Sequence, residues 1–329
     1  MGRREGLRIL GAVAALLFPW VAGDYARFLA VEVLALALFA VSYNLLLGYG
    51  GMLSLGHAAP FGIGAYTVAL LALRGGQSSV LVALPAAVAA AMLAALLTGL
   101  FVVRSSQVFF TMLTLAFAQM FYALASRWYA VTGGDTGLPG LPPPSLGPWT
   151  LSSGTALYYL ALLLAGGGLW ALWRLVRSPF GLTLRATREN PRRSAFLGVR
   201  VARVRLATYV VAWGWAAVAG ALWAWNQRAA FPDTLYWSRS AEVMAMTILG
   251  GQGSFFGPVL GAALITVLEP LLNRLWEYWS LSLGLVVILV VFLLPQGLLG
   301  GRAERRRGRL GDVRGEGAGQ RAGSGARSA

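Results

Sequence analysis

An arginine-rich segment at residues 177–205 separates apolar runs that are each long enough to cross a lipid bilayer. The segment contains eight arginines and a single acid, Glu189. Membrane-protein loops with such an excess of arginine stay on the cytoplasmic side. The segment therefore predicts the orientation of the apolar runs on both of its sides.

Composition places the chain in the membrane-protein class. Of its 329 residues, 57% are hydrophobic and 12% are charged, and the mean hydropathy is +0.66, which is outside the range of soluble globular proteins. The formal charge of +15 does not indicate a nucleic-acid partner, because the arginines lie in loops and tails beside apolar runs. Without cysteine, and with His57 as its one histidine, the chain is not expected to hold a metal.

The apolar runs predict an all-α integral membrane protein with about ten segments. Six segments before the basic loop and four after it place both termini in the cytoplasm. If residues 241–272 instead form a re-entrant hairpin that enters from outside, eight full crossings satisfy the same charge rule. Residues 1–301 are expected to form the membrane domain, and residues 302–329 a basic, disordered cytoplasmic tail. The predicted segments are 7–22, 28–47, 58–73, 80–103, 108–125, 155–176, 206–227, 241–250, 259–272 and 281–299.

Two glycine-rich interruptions, residues 48–64 and 250–261, lie in opposite halves of the chain. Backbone groups released by such interruptions are tolerated at membrane depth only where they line a cavity or pack inside protein. Broken helices in corresponding halves are typical of a transport pathway. Close packing of helices through small residues is the alternative.

Polar side chains in or near these interruptions are candidates for a translocation path, because polar groups are rare at membrane depth. Several have a simpler structural alternative: His57 as a helix cap, Glu242 paired with Arg239, and Gln107 with Thr111 in helix–helix hydrogen bonds. The candidate path residues are Ser54, His57, Gln107, Thr111, Glu242 and Gln252.

The basic loop itself predicts two short amphipathic helices, at residues 180–189 and 192–197. Asn190 is a favourable N-cap, Pro191 a favourable first helical residue, and Gly198 a favourable helix end. The two helices present either a protein docking surface or a surface for anionic lipid headgroups, which attract each arginine by about 1 kcal/mol.

Three stretches resemble signature motifs of the LivM-type permeases of bacterial branched-chain amino acid ABC importers. They are NLLLGYGGMLSLGHAAPFGIGAY, RSPFGLTLRATRENPRRSAFLGV and ILGGQGSFFGPVLGAAL, and the similarity covers nearly all of residues 34–299. The resemblance implies a multi-pass permease of the inner membrane. It also implies a LivH-like second permease, two ATP-binding subunits and a periplasmic substrate-binding protein.

The resemblance further implies that residues 180–198 of the basic loop dock on an ATP-binding subunit. The chain lacks a phosphate-binding GxxxxGK[ST] loop, so we expect it to bind no cofactor and its partners to use ATP. The residues on which the resemblance places the coupling role are Phe180, Gly181, Leu184, Arg185, Arg188, Glu189, Asn190 and Gly198.

The expected function is inward movement of leucine, isoleucine and valine by alternating access, with no catalytic residue in this chain. Three alternatives remain open at this point. The first is a related importer for urea or short amides. The second is an ion-coupled carrier that uses Glu32 or Glu242 as a proton site, and the third is an intramembrane hydrolase built on Ser54 and His57.

Overall fold

The computed structural model describes residues 16–105, 107–147, 149–275, 284–285 and 297–299, and this part of the chain is predominantly α-helical. Residues 16–21 form an unnumbered helical stretch. A π-helical turn at Leu45–Tyr49 continues α1, and 3-10 turns occur at Gly134–Thr136 and Pro232–Leu235. The numbered helices are α1 (Asp24–Asn44), α2 (Ala58–Leu73), α3 (Val80–Val102), α4 (Gln107–Arg127), α5 (Tyr129–Thr132), α6 (Gly154–Arg177), α7 (Pro179–Glu189), α8 (Pro191–Phe196), α9 (Val201–Gln227), α10 (Trp237–Gly250) and α11 (Gly257–Leu275).

Five of these helical segments are long and apolar enough to cross a membrane: α1 with its π-helical turn, α3, α4, α6 and α9. Their bounds agree with the predicted segments to within about five residues, and α2 matches its predicted bounds at both ends. Most of predicted segments 7–22 and 281–299 and the whole tail 302–329 lie outside the described residues. The number of crossings therefore stays a prediction.

Helices α1 and α9 form the centre of the bundle. In their apolar stretches 72% and 78% of the residues are buried, against 28% in α3 and 22% in α4. Small residues allow the close approach: a Cβ atom on Gly220 would lie 1.9 Å from the carbonyl oxygen of Phe61, and one on Gly64 would lie 2.2 Å from that of Ala217. Gly64 belongs to the first glycine-rich interruption, residues 48–64. This part of the interruption therefore allows close helix packing, the alternative that the sequence left open.

Contacts between α1 and α9 define two ends of the bundle. The side-chain amide of Asn226 donates to the carbonyl oxygen of Phe28 at 3.1 Å, so the C-terminus of α9 lies beside the start of α1. This end, the loop end, carries two short antiparallel strand pairs. The opposite end, the basic end, carries α7 and α8. The strands are β1 (Leu138–Pro139), which pairs with β4 (Ala229–Ala230), and β2 (Ser145–Leu146), which pairs with β3 (Trp149–Thr150).

Helices α10 and α11 form an antiparallel hairpin whose turn contains the second glycine-rich interruption. A Cβ on Gly261 would lie 1.9 Å from the carbonyl oxygen of Met246, and one on Gly250 would lie 1.9 Å from that of Gly257. Gly297 reaches the same turn and lies against Gly251. A hairpin of this form is compatible with both predicted alternatives, two short crossings or re-entry.

Candidate functional site

The first interruption consists of the π-helical turn and the non-helical chain that follows it, and residues 45–57 are called the first break below. The backbone from Gly51 to Leu55 runs along helix α4. Three polar side chains of that helix bind it. The bonds join Gln107 Nε2 to Gly51 O at 3.0 Å, Thr111 Oγ1 to Leu53 O at 2.8 Å, and Leu55 N to Thr114 Oγ1 at 3.2 Å.

The spacing of these three hydrogen bonds follows from the periodicities of an α-helix and of an extended chain. Positions 107, 111 and 114 share one face of a helix, and alternate residues of an extended chain point to the same side. The side chains of α4 therefore satisfy backbone groups that α1 and α2 leave without helical partners, as an apolar environment requires. For Gln107 and Thr111 the sequence left open a role in the path and a structural role. In the structure, the two side chains are bonded to the backbone of the first break.

His57 lies fully buried at the end of the first break. Its Nε2 atom is 3.0 Å from the hydroxyl of Ser42, which itself donates to the carbonyl oxygen of Phe39 at 2.7 Å. The hydroxyl therefore accepts from His57, which places the imidazole proton on Nε2. The ring stacks on Phe39 at 5.3 Å between centroids. His57 thus joins α1 to the start of α2 with its side chain, whereas the sequence suggested a cap bonded to backbone.

Ser54 is also fully buried, and its hydroxyl oxygen accepts from the backbone N–H of Gly56 at 3.4 Å. No hydrogen bond joins it to His57 within the described part of the chain. The geometry therefore supplies no activated serine, and the hydrolase alternative has no support in this arrangement.

The two breaks meet at the basic end of the bundle. The second break comprises residues 251–256, between α10 and α11. The side-chain amide of Asn44 donates to the carbonyl oxygen of Ser254 at 3.1 Å. A Cβ on Gly48 would lie 2.0 Å from Asn44 Oδ1 and 2.5 Å from the carbonyl oxygen of Gln252. The side chain of Gln252 is exposed.

Asn44 was absent from the predicted site, although an amide within an apolar run directly before a glycine-rich interruption was the available signal. The two breaks are in contact because the amide of Asn44 bonds across them and because Gly48 has no side chain that would separate them. We call this contact the break junction, made by Asn44, Gly48, Gln252 and Ser254.

Charged side chains gather nearer the loop end, around Arg239 at the start of α10. Its guanidinium contacts Glu242 at 2.6 Å, and each of these side chains is 18% exposed. The guanidinium also lies 5.4 Å from the ring centroids of Phe61 and Trp223. Glu32 lies in electrostatic range of Arg239 and accepts from Gln227 at 3.5 Å. The predicted pairing of Glu242 with Arg239 is confirmed.

The basic loop folds as the sequence predicted. Asn190 caps α8, since its Oδ1 atom accepts from the backbone N–H of Arg193 at 2.9 Å, and Pro191 is the first residue of that helix. Gly198 follows the helix with φ +85°, a conformation that favours glycine. The loop is therefore a folded pair of helices rather than an extended basic linker.

Helix α7 has an inward and an outward face. Gly181 and Leu184 are buried against the bundle, and Phe180 is half-buried. Glu189 and Asn190 are exposed, as are the side chains of three large apolar residues on the outer surface of α7 and α8. These are Leu182, Phe196 and Leu197, exposed by 62%, 92% and 79%.

Two arginines of α7 reach the first break with their guanidinium groups, Arg185 from a half-buried position and Arg188 from an exposed one. Arg188 Nη1 donates to the carbonyl oxygen of Gly48. Arg185 Nη2 donates to the carbonyl oxygen of Val176 at 3.2 Å, and its guanidinium lies 5.1 Å from the centroid of Tyr49. The sequence grouped both arginines with the docking residues, flanking the face of Phe180 and Leu184, and did not indicate a contact with the first break.

The described residues also form a cavity of about 200 Å³ at the loop end, between α1, α9 and the segment before α6 that includes Pro143 and Pro144. Arg27 and Arg228 contribute its charged lining together with Asp24. None of the six candidate path residues lines it. The described residues contain no group of three or more acidic or histidine side chains suited to a metal.

Comparison with known proteins gives consistent matches. A family model described as "Branched-chain amino acid transport system / permease component" matches residues 25–294. The high-affinity branched-chain amino acid transport system permease protein LivM of Salmonella typhimurium is 30% identical over 327 residues, covering 92% of this chain and 77% of that protein. LivM of Escherichia coli is 30% identical over 310 residues, covering 87% and 73%.

A second kind of permease also matches. The high-affinity branched-chain amino acid transport system permease protein LivH of Salmonella typhimurium is 26% identical over 288 residues, which cover 80% of this chain and 91% of that protein. No solved structure matches significantly. The resemblance predicted from the three sequence motifs is confirmed.

Proposed function

Because this chain belongs to the family of permease components of branched-chain amino acid transport systems, we propose that it is one of two membrane subunits of an ATP-driven importer of leucine, isoleucine and valine. The observation that carries this proposal is the family match over residues 25–294, together with the LivM proteins that match most of the chain. The chain acts as a transport subunit rather than as an enzyme.

The proposed assembly contains a second permease, two ATP-binding subunits and a periplasmic substrate-binding protein. Similarity to both LivM and LivH supports a pair of related permeases. ATP is bound by the partner subunits, and this chain carries no cofactor of its own. Lipid contacts the exposed apolar faces of helices such as α3 and α4.

We place the assembly in the bacterial inner membrane, with the basic end of this chain and both termini in the cytoplasm. The arginine-rich loop supports this orientation. Residues 1–301 form the permease domain, and residues 302–329 a cytoplasmic tail. The loop end then faces the periplasm, where the binding protein docks.

The mechanism is alternating access driven from the basic end. The exposed apolar side chains of Leu182, Phe196 and Leu197 form the docking surface for an ATP-binding subunit. ATP-driven closure of the partner pair moves α7 and α8, and the two permeases rock against each other. Such movement requires the ATP-bound and ATP-free partners to differ in their affinity for the two positions of the loop.

The side chains proposed to contact the path are Glu242 and Gln252, which remain partly or fully exposed. The other four candidates act indirectly. Ser54, His57, Gln107 and Thr111 hold the first break through hydrogen bonds within this chain. These bonds fix the backbone conformation of the first break, and the proposed path passes beside it.

The test is affinity purification of this chain from its native membrane in mild detergent, followed by uptake assays in proteoliposomes. We expect a second permease and two ATP-binding subunits to copurify, and ATP-dependent leucine uptake that unlabelled isoleucine and valine inhibit. ATP-dependent uptake of labelled urea that leucine does not inhibit would assign the importer to urea or short amides. Transport by the isolated chain without ATP would replace the proposal with the ion-coupled carrier.

A further inference from the structure

We propose that Arg188 is a positioning residue that joins the docking loop to the break junction, and that movement of α7 reaches the two breaks through its bond to Gly48. This inference rests on the proposed function, because it needs partner subunits that move the loop. It separates Arg188 from the docking surface, to which its position in a basic loop would assign it.

The first step concerns the carbonyl groups at the end of the broken helix. Helix ends leave carbonyl oxygens without backbone partners. Here the backbone satisfies three consecutive carbonyls, and Arg188 supplies the donor for the next one, that of Gly48. The backbone bonds run from Gly50 N to Leu45 O, from Met52 N to Leu46 O, and from Gly51 N to Leu47 O.

Arg188 therefore caps the first break from a different element of the chain. A guanidinium at a helix C-terminus is electrostatically favourable, because the carbonyl ends carry partial negative charge. The bond is charge-assisted and joins residues 140 positions apart.

The second step concerns the fit of the arginine stem. Gly51 has φ +65°, a backbone conformation that favours glycine. A Cβ atom on Gly51 would lie 2.8 Å from Cγ of Arg188. The absence of a side chain at position 51 thus leaves room for the arginine to reach Gly48.

Arg185 holds the same helix one turn earlier. Its guanidinium lies 5.1 Å from the Tyr49 ring and donates to the carbonyl oxygen of Val176 in the last turn of α6. Helix α7 is consequently fixed to α6 and to the first break at once, and cannot shift without changing at least one of these contacts.

The third step connects Gly48 to the second break. Asn44 Oδ1 and the carbonyl oxygen of Gln252 both lie where a Cβ atom on Gly48 would be, which leaves no space for a methyl group. Because this contact is close-packed, displacement of Gly48 must displace the turn between α10 and α11 or open the junction. A continuous set of contacts therefore runs from α7 to both breaks.

The outward face of α7 and α8 stays free for the partner. Leu182, Phe196 and Leu197 are exposed there and make no part of the contact with Gly48. Arg188 is also partly accessible to solvent, but its Nη1 atom is bonded to the carbonyl oxygen of Gly48. Docking and transmission thus use different side chains of one loop, and substitution should separate them.

The first test compares Arg188→Gln with Arg188→Lys in the full complex purified through this chain. We expect Arg188→Gln to retain the ATP-binding subunits and their ATP hydrolysis, while leucine uptake per ATP falls roughly 5- to 150-fold, the range of typical coupling energies. Arg188→Lys keeps the charge and should recover part of the uptake. Arg174→Gln, which removes an exposed arginine at the end of α6, is the matched control and should transport normally.

Normal uptake per ATP in Arg188→Gln would overturn the inference, and so would loss of the ATP-binding subunits from that complex, since the latter assigns Arg188 to docking. Failure of the proposed function gives a different result, because the unsubstituted complex would then lack ATP-dependent uptake.

The second test uses the absence of cysteine from the chain. Met52 is buried beside Gly51, and Met52→Cys provides a single labelling site at the first break. With Arg188 present, reaction with a thiol reagent should change when ATP is added to the complex. In the double variant with Arg188→Gln, the labelling rate should no longer respond to ATP. A retained ATP response would show that movement reaches the break by another route.

Discussion

The side-chain amide of Asn44 donates a 3.1 Å hydrogen bond to the carbonyl oxygen of Ser254 and so joins two broken segments that lie 210 residues apart. Each segment alone leaves backbone groups that an apolar environment cannot satisfy. Their contact replaces part of the missing helical bonding and brings the glycine-rich turns of both halves to the basic end. Because the break junction lies next to α7, a residue of the docking loop can contact the point at which both breaks meet.

We predict that Asn44→Leu lowers the stability of the protein, because it leaves the Ser254 carbonyl without its donor while it keeps the branching and the number of heavy atoms of the side chain. The expected loss is about 1–3 kcal/mol in the free energy of unfolding. It is measured as a lower midpoint of unfolding in detergent, followed by tryptophan fluorescence. Asn226→Leu removes an equivalent amide-to-carbonyl bond at the loop end.

The two variants should differ in function as well. Asn226→Leu should retain uptake per folded complex, whereas Asn44→Leu should lose it along with stability. Equal uptake per folded complex in both variants would show that the junction has no role beyond folding.

A second prediction concerns Gly48, where a methyl group would overlap Asn44 and the backbone of Gln252. Gly48→Ala should reduce the amount of folded protein, since overpacking typically costs about 1–3 kcal/mol. Gly166→Ala is the control. It lies within helix α6 with no neighbouring atom within 4 Å of its added methyl.

Helix propensity favours alanine over glycine by about 1 kcal/mol, so Gly166→Ala should be neutral or slightly stabilising. Thermal unfolding of both variants in the same detergent distinguishes the positions. A Gly48→Ala variant as stable as the unsubstituted chain would contradict the close contact at the junction.

Local signals made the helix bounds predictable. The apolar runs match α2, α3 and α4 closely, because length and hydropathy determine which segments suit a bilayer. The start of α8 was predictable from Asn190 and Pro191, since capping depends on neighbours in the sequence. The starts of α9 and α10 were placed too late, because their first turns contain polar and charged residues such as Arg203 and Arg239.

The partners of the site residues were not predictable in the same way. The inward direction of Arg188 depends on how α7 packs against a break 140 residues earlier, and nothing in the local pattern specifies that contact. His57 likewise meets Ser42 only because the tertiary structure brings the start of α2 beside Ser42 and Phe39 of α1. Charge and polarity identified these residues, and only the tertiary structure identifies their roles.

Thr111→Val provides a third prediction, on the side chains of α4 that bind the first break. Valine conserves the shape of threonine but cannot donate to the carbonyl oxygen of Leu53. We expect a loss of about 0.6–2 kcal/mol in stability, the range found for interhelical bonds in membranes. Thr67→Val is the control, because Thr67 bonds to Ile63 within its own helix.

Proteolysis at the first break gives a direct measurement. The Thr111→Val variant should be cleaved near residues 51–55 faster than the unsubstituted chain, while Thr67→Val should behave normally. Equal cleavage rates would mean that Gln107 and Thr114 hold the segment without Thr111.

The final prediction concerns Glu242, which the carrier alternative treats as a proton site and the structure pairs with Arg239 at 2.6 Å. Glu242→Gln leaves a largely buried guanidinium without its carboxylate partner, and removal of one member of such a pair is strongly destabilising. We therefore expect less folded protein. Because Glu242 is proposed to contact the path, uptake per folded complex should fall, but the uptake that remains should still depend on ATP. Substitution of Arg239 by Gln in the same chain removes the unpaired charge and should restore part of the yield, which a double-mutant cycle on folded amount measures. A carrier predicts the opposite pattern: normal abundance of Glu242→Gln, no uptake, and no rescue by the second substitution, because a proton site would be lost while the fold remained intact.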